Sequence, residues 1–333
     1  MVKGVEMTEA GLDGRRTSAP VRHRLRSRID RLRYITGFVT AFGDEFDPRV
    51  AVFARLWHVK RVVGTARRLA ADAAVDVARV SRLAWMHDLN RWPFAHNSER
   101  GSFDQAMNVP DYFKALDASP CDISDLQGIH HKKLDGLTPD GTVVLFADAL
   151  TGIVEDVLMA VTGLNVHPRM VPADIDGLMG FSLQREPWLS ACRELVHNFH
   201  GSPRPDVTDF QRRFDALFRD LVDTFIARNR IRDMERDYPA VYDVARIVKE
   251  TFTRPVIFPL NNERVCHSLW LREKVFPWYF HTMGGDRGRL LEMDERQFVG
   301  MITTMPGSPF SPHEFVPDLD VVQRELPHLA FLP

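Results

Sequence analysis

The stretch VVLFADALTGIVEDVLMAV, residues 143–161, decides the reading of the fold. It is strongly apolar, shows no period-2 alternation, and carries Asp148 inside it, so it reads as a buried helix. Upstream, LDGLTPDG (134–141) holds strong turn signals. A helix is expected over 122–132, and another over 76–90 with Val77, Val80, Leu83, Ala84 and His87 toward the interior. That helix should end near Asn90, because Pro93 disfavours helical geometry at Trp92. Before it, Val52, Leu56, Val59, Val63 and Ala66 recur at three- and four-residue steps and predict a long helix over 48–73. An arginine-rich segment over 21–38 places Leu25, Ile29, Leu32 and Ile35 on one helical face. Downstream, helical pattern returns at 207–231, 239–252 and 261–276, whereas residues 165–205 contain several prolines and the last fifty residues show no clean period. The fold class expected is all-α. The chain is expected to divide into a tail (1–20), a helical core (21–165) and a mostly helical region (166–333).

Composition narrows the function. The 43 Lys+Arg residues nearly balance 45 Asp+Glu, so neither a nucleic-acid-coating surface nor an acidic tail is indicated. Cys121, Cys192 and Cys266 lie far apart, which argues against a disulfide framework and a thiolate zinc site. No stretch approaches the roughly 18 uninterrupted apolar residues of a spanning helix, and the N-terminus has no apolar signal region. The expectation is a cytoplasmic protein without a membrane partner.

The residues that carry chemistry are His58, the dipeptide His87-Asp88, and Asp148, each in or at the end of an expected helix. Imidazoles and carboxylates are the ligand types for manganese, iron, magnesium or zinc, and packed helices can bring such a set to one point. No competing site emerges. GGDRG (284–288) lacks the strand and helix context of a phosphate loop, and there is no G-x-S-x-G elbow.

The segment MHDLNRWPFAHNSERG (86–101) resembles the HD-domain phosphohydrolases, and within them the deoxynucleoside triphosphate triphosphohydrolases, through His87, Asp88, Leu89, Pro93, Phe94, His96 and Glu99. FARLWHVKRVVGTARRLA (53–70) is similar to the family's first-histidine helix at Arg55, Leu56 and His58, and FADALTGIVED (146–156) to its final-aspartate helix at Asp148. The resemblance implies an HD-domain helical bundle whose His58, His87, Asp88 and Asp148 hold a divalent cation, manganese foremost. It implies His96 as general acid with Glu99 orienting it, a nucleotide substrate, and self-association into a homo-oligomer. Substrate phosphate would meet Arg55, Lys60, Arg61 and Arg91, since guanidinium groups pair bidentately with phosphate, and Lys274 and Tyr279 from a segment similar to the family's nucleotide-contacting C-terminal helix. His130 and His131 are open between an exposed helix end, a phosphate contact and a second metal site, the last of which would suit an HD-type di-iron oxygenase. Asn90, Arg91 and Trp92 depart from the family pattern, as do Trp57 and Val59, and are expected to reshape the pocket mouth. A monophosphate or other small-phosphoester phosphatase is the alternative those departures favour.

Overall fold

The apolar stretch around Asp148 folds as the longest helix among the described residues, and six other helices are arranged on it. The structure, a computed structural model, describes residues 55–71, 73–94, 105–162, 177, 179–201, 206–250, 270–284, 286–293 and 295–315. The expected tail and the helix over 21–38 lie outside these residues, as do His96 and Glu99. The fold is all-α, with no strand among the described residues. In order, the helices are α1 (Arg55–Ala71), α2 (Val77–Met86), α3 (Gln105–Lys114), α4 (Pro120–His131), α5 (Pro139–Thr162) and α6 (Trp188–His200). They continue with α7 (Val207–Arg228), α8 (Met234–Val248), α9 (Phe276–Thr282), α10 (Arg287–Leu291) and α11 (Glu295–Thr304). A π-helical turn, Leu271–Val275, leads into α9, and a short 3-10 turn, Pro312–Phe315, follows α11.

Helix α5 is buried nearly all round, as its composition requires. Helices α1, α2, α4, α6, α7 and α8 all pack against it. Its start is fixed by chemistry local to the 134–141 turn. Pro139 takes the first helical position, where a missing N–H costs nothing. Asp125 accepts from the Thr138 N–H at 2.8 Å and from its hydroxyl at 2.6 Å. Gly141 is required there, because a Cβ would meet the Asp125 carboxylate at 2.6 Å. From α2, Arg79 bonds Asp122 and Asp125 of α4 together with Thr138 and Asp140 at the start of α5. One guanidinium therefore sets α2, α4 and α5 relative to each other.

Helix α1 falls within the expected span 48–73, of which 48–54 lie outside the described residues, and α2, capped by Asp76, ends at Met86, four residues short of Asn90 and just before the His-Asp pair. Three helices fall where loose chain was expected. Helix α3 contains Pro110, a breaker by sequence, yet Val109, Tyr112 and Phe113 are buried and the packing gain outweighs the lost hydrogen bond. In α6, Cys192, Leu195 and Phe199 form a buried stripe behind a proline-rich approach. Helix α11 buries Phe298, Val299 and Ile302 within the last fifty residues. Helix α8 begins at Met234 rather than 239, capped by Asp233, with Pro239 inside it. A single hydrophobic core runs through both sides of residue 165, from Val59 to Phe315.

Aromatic contacts join the chain's halves. Trp92 lies 5.5 Å from the Phe280 ring, and Phe94 lies 6.1 Å from Phe298, which itself stacks on Phe276 at 5.0 Å. Trp92 is fully buried, which corrects the expectation that it shapes a pocket mouth. No described helix is long and apolar enough to cross a membrane. Phe298→Ala is expected to cost about 3–5 kcal/mol, read as a lowered midpoint in urea unfolding followed by circular dichroism.

Candidate metal centre

Four elements bring their polar residues to one point. Helix α1 supplies His58 and, one turn on, Arg61. The turn that ends α2 supplies His87 and Asp88. Helix α5 supplies Asp148 and, two turns later on the same face, Glu155. The end of α4 supplies His130 and Lys132.

His58 Nε2 lies 3.7 Å from Asp88 Oδ2 and 3.5 Å from Asp148 Oδ1. His87 Nε2 lies 3.6 Å and 3.7 Å from the same two oxygens. Ligand bonds of about 2.0–2.2 Å place the donors around one tetrahedral or octahedral ion about 3.0–3.5 Å apart. Each imidazole nitrogen is thus nearly at ligand spacing from each of the two carboxylate oxygens. His58, His87 and Asp88 form a buried group with donor atoms mutually within 4.8 Å.

The imidazoles are turned for ligation. His87 Nδ1 is 2.7 Å from the Ala84 carbonyl and must donate its proton there. Its Nε2 is left as a buried lone pair with no hydrogen-bond partner among the described residues. His58 Nδ1 donates to Glu155 Oε2 at 2.6 Å, so its Nε2 also faces the centre. A carboxylate behind a ligating histidine fixes the ring and raises its basicity. Burial lowers the His87 pKa despite the opposing Asp88 and Asp148 charges, which keeps the ring neutral. Burial alone would raise Asp148, but Lys132 and the two histidines hold its carboxyl well below the usual range. Glu155 is likewise depressed: His58 and Arg61 outweigh its burial.

The turn is braced from α3. Asn90 donates to the Gln105 carbonyl at 3.1 Å, and Gln105 donates to Asn90 Oδ1 at 2.9 Å and to the His87 carbonyl at 3.4 Å. Asn90, an oddity by sequence, is therefore an anchor of the ligand-bearing turn.

His58, His87, Asp88 and Asp148 are brought together as expected. Arg61 needs correction: it is buried, bonds Glu155 and, at 2.8 Å, Asp215, and lies 4.5 Å from the Phe214 ring, so it is committed inside the protein rather than to substrate phosphate. Arg91 is also buried and donates to Asp88 Oδ1 at 3.0 Å. Lys60 sits 4.2 Å over the Trp57 ring. Tyr279 is another correction. It is buried among aromatic rings and its hydroxyl donates to the Asp286 carbonyl at 2.9 Å, which explains its place in the sequence by packing. Lys274 is exposed on the π-helical turn. His131 is exposed, whereas His130 Nε2 is buried without a partner among the described residues. Burial pushes His130 down to about 3, aided by Arg91 and Lys132 and opposed by Asp88. The Arg55 side chain, His96 and Glu99 lie outside the described residues.

Three residues were missed by sequence reasoning. Glu155 had a signal, its seven-residue step from Asp148 within one helix. Lys132 was not singled out, since a lysine at a helix end shows no partner in sequence, but its ammonium bonds Asp148 Oδ2. Tyr238 of α8 gave none; its buried hydroxyl has no partner among the described residues, and burial together with the Asp148 charge raises its pKa.

No protein-family model matches the chain, and no curated protein or solved structure matches it. Glu155→Gln is expected to weaken manganese binding about 10- to 100-fold, and Asp148→Asn to weaken it at least as much, by isothermal titration calorimetry on folded protein.

Proposed function

We propose that the chain is a metal-dependent phosphohydrolase of the HD type acting on nucleotides, foremost a deoxynucleoside triphosphate triphosphohydrolase that releases a deoxynucleoside and tripolyphosphate. The observation that carries this reading is the convergence of two buried imidazole Nε2 atoms and two carboxylate oxygens at 3.5–3.7 Å, both rings being pinned through Nδ1. His58, His87, Asp88 and Asp148 would hold the cation. A divalent cation supplies the charge that polarises a phosphoryl oxygen and acidifies water near neutral pH.

Around that centre the chain's own residues divide the work. Glu155 orients His58 and is held by Arg61. Arg91 turns Asp88 so that its second oxygen faces the imidazoles. In this reading His96 protonates the leaving sugar oxygen and Glu99 orients it, the roles their motif positions imply. Cytoplasmic residence and self-association belong to the same reading. One observation favours a second: the unpartnered His130 Nε2 suits a two-metal centre of the oxygenase kind.

Mass spectrometry of products, after incubation with manganese and a panel of nucleoside and deoxynucleoside mono- and triphosphates, tests these readings. Tripolyphosphate with free deoxynucleoside is the expected result. Orthophosphate from monophosphates would replace it with a phosphatase, and iron- and oxygen-dependent turnover with an oxygenase. His96→Ala is expected to lower kcat about 10²- to 10⁴-fold with manganese affinity unchanged; undiminished turnover would remove His96 from the acid role.

A further inference from the structure

Each carboxylate of the centre already meets a basic side chain. Asp88 is matched by Arg91, Asp148 by Lys132 and Glu155 by Arg61. A dication added to this arrangement leaves the centre positive, and buried excess charge is costly until an anion joins it or a cation departs.

Two of the three cations are fixed. Arg61 is bonded to two carboxylates and packed on Phe214. Arg91 is buried against Asp88. Lys132 differs, because its side chain is 37% exposed and its hydrogen bond among the described residues is to Asp148 Oδ2. Its backbone is anchored: in the left-handed region at φ 56°, it caps α4 through the Gly128 and Ile129 carbonyls. A flexible stem on a fixed base can move its ammonium without moving the helix. Two residues earlier, His130 holds a buried Nε2 that has no partner among the described residues, within the field of Asp88, Arg91 and Lys132. Arg91 and Lys132 supply, against the opposing Asp88, the positive charge that an anionic oxygen at that nitrogen would meet.

We propose that Lys132 is the exchangeable counter-cation of the centre: it holds Asp148 when no ion is bound, yields that carboxylate to a divalent cation, and then joins His130 Nε2 in binding the oxygens of a phosphoryl anion. The proposal rests on the metal-centre reading and adds to it a coupling between ion and anion carried by one side chain.

Isothermal titration calorimetry with manganese, and with inorganic phosphate added to manganese-loaded protein, tests it. Lys132→Met removes the competing charge and is expected to tighten manganese about 5-fold or more in phosphate-free buffer. The same variant is expected to weaken phosphate about tenfold or more. A purely structural lysine would not produce these opposite signs. Lys132→Arg should keep both constants near those of the parent, and His130→Ala should weaken phosphate alone. Manganese affinity that is unchanged or weaker in Lys132→Met overturns the exchange, and unchanged phosphate affinity overturns the anion role. Two manganese ions per chain, one lost in His130→Ala, would assign His130 to a second cation instead. A parent chain that binds no manganese overturns the metal-centre reading, and the proposal with it.

Discussion

The arrangement of the centre depends on one buried carboxylate. Glu155 is 1% exposed and stays ionised because α1 hands it two charge-assisted hydrogen bonds, from His58 Nδ1 and from Arg61. Removing either partner would strand a buried charge, a cost of about 3–5 kcal/mol in such pairs. The bond to His58 turns that ring so that Nε2 faces Asp88 and Asp148. The bond from Arg61 is extended by Asp215 and the Phe214 ring, both on α7. One side chain thereby fixes α1 against α5, ties in α7, and aims a candidate metal ligand.

A helix buried on nearly every side, as α5 is, tolerates polar groups only where partners meet them. Asp148, Thr151 and Glu155 follow at three- and four-residue steps and form one stripe toward α1. Thr65 faces Thr151 at 3.4 Å, and His58 contacts both acids. Sliding α1 by one residue would rotate His58 away and leave the stripe unpaired. The polar contacts thus give specificity to a packing that apolar contacts alone would leave free to shift.

How much of this was legible in the sequence follows from which interactions are local. Helical periodicity reports a residue's own face, so the all-α class and the spans of α1, α2, α5 and α7 could be read directly. The candidate ligand set could be named because motif spacing links His87 to Asp88 and the helix patterns place His58 and Asp148. Arg61 was misread because sequence shows a charge and not its partner, which lies 94 residues away. Glu155 belonged to the same helical face as Asp148, but nothing local says that a histidine will meet it. Helix α3 and the first turn of α8 hid behind Pro110 and Pro239, since breaker signals carry no knowledge of tertiary burial.

The last constraint comes from the far end of the chain. Phe94 follows the ligand-bearing turn with φ at 67°, a left-handed conformation that a bulky residue adopts at a cost of about 1–2 kcal/mol. Such a conformation persists where its surroundings over-determine it. Here the ring is held edge-on to Phe298 and stacked with Phe315, while the neighbouring Trp92 packs on Phe276 and Phe280. Asn90 and Gln105 hold the other side of the same turn. The residues after 270 are therefore more than an outer layer: their aromatic core fixes the path of the chain beyond His87 and Asp88, and so the direction in which those two ligands point.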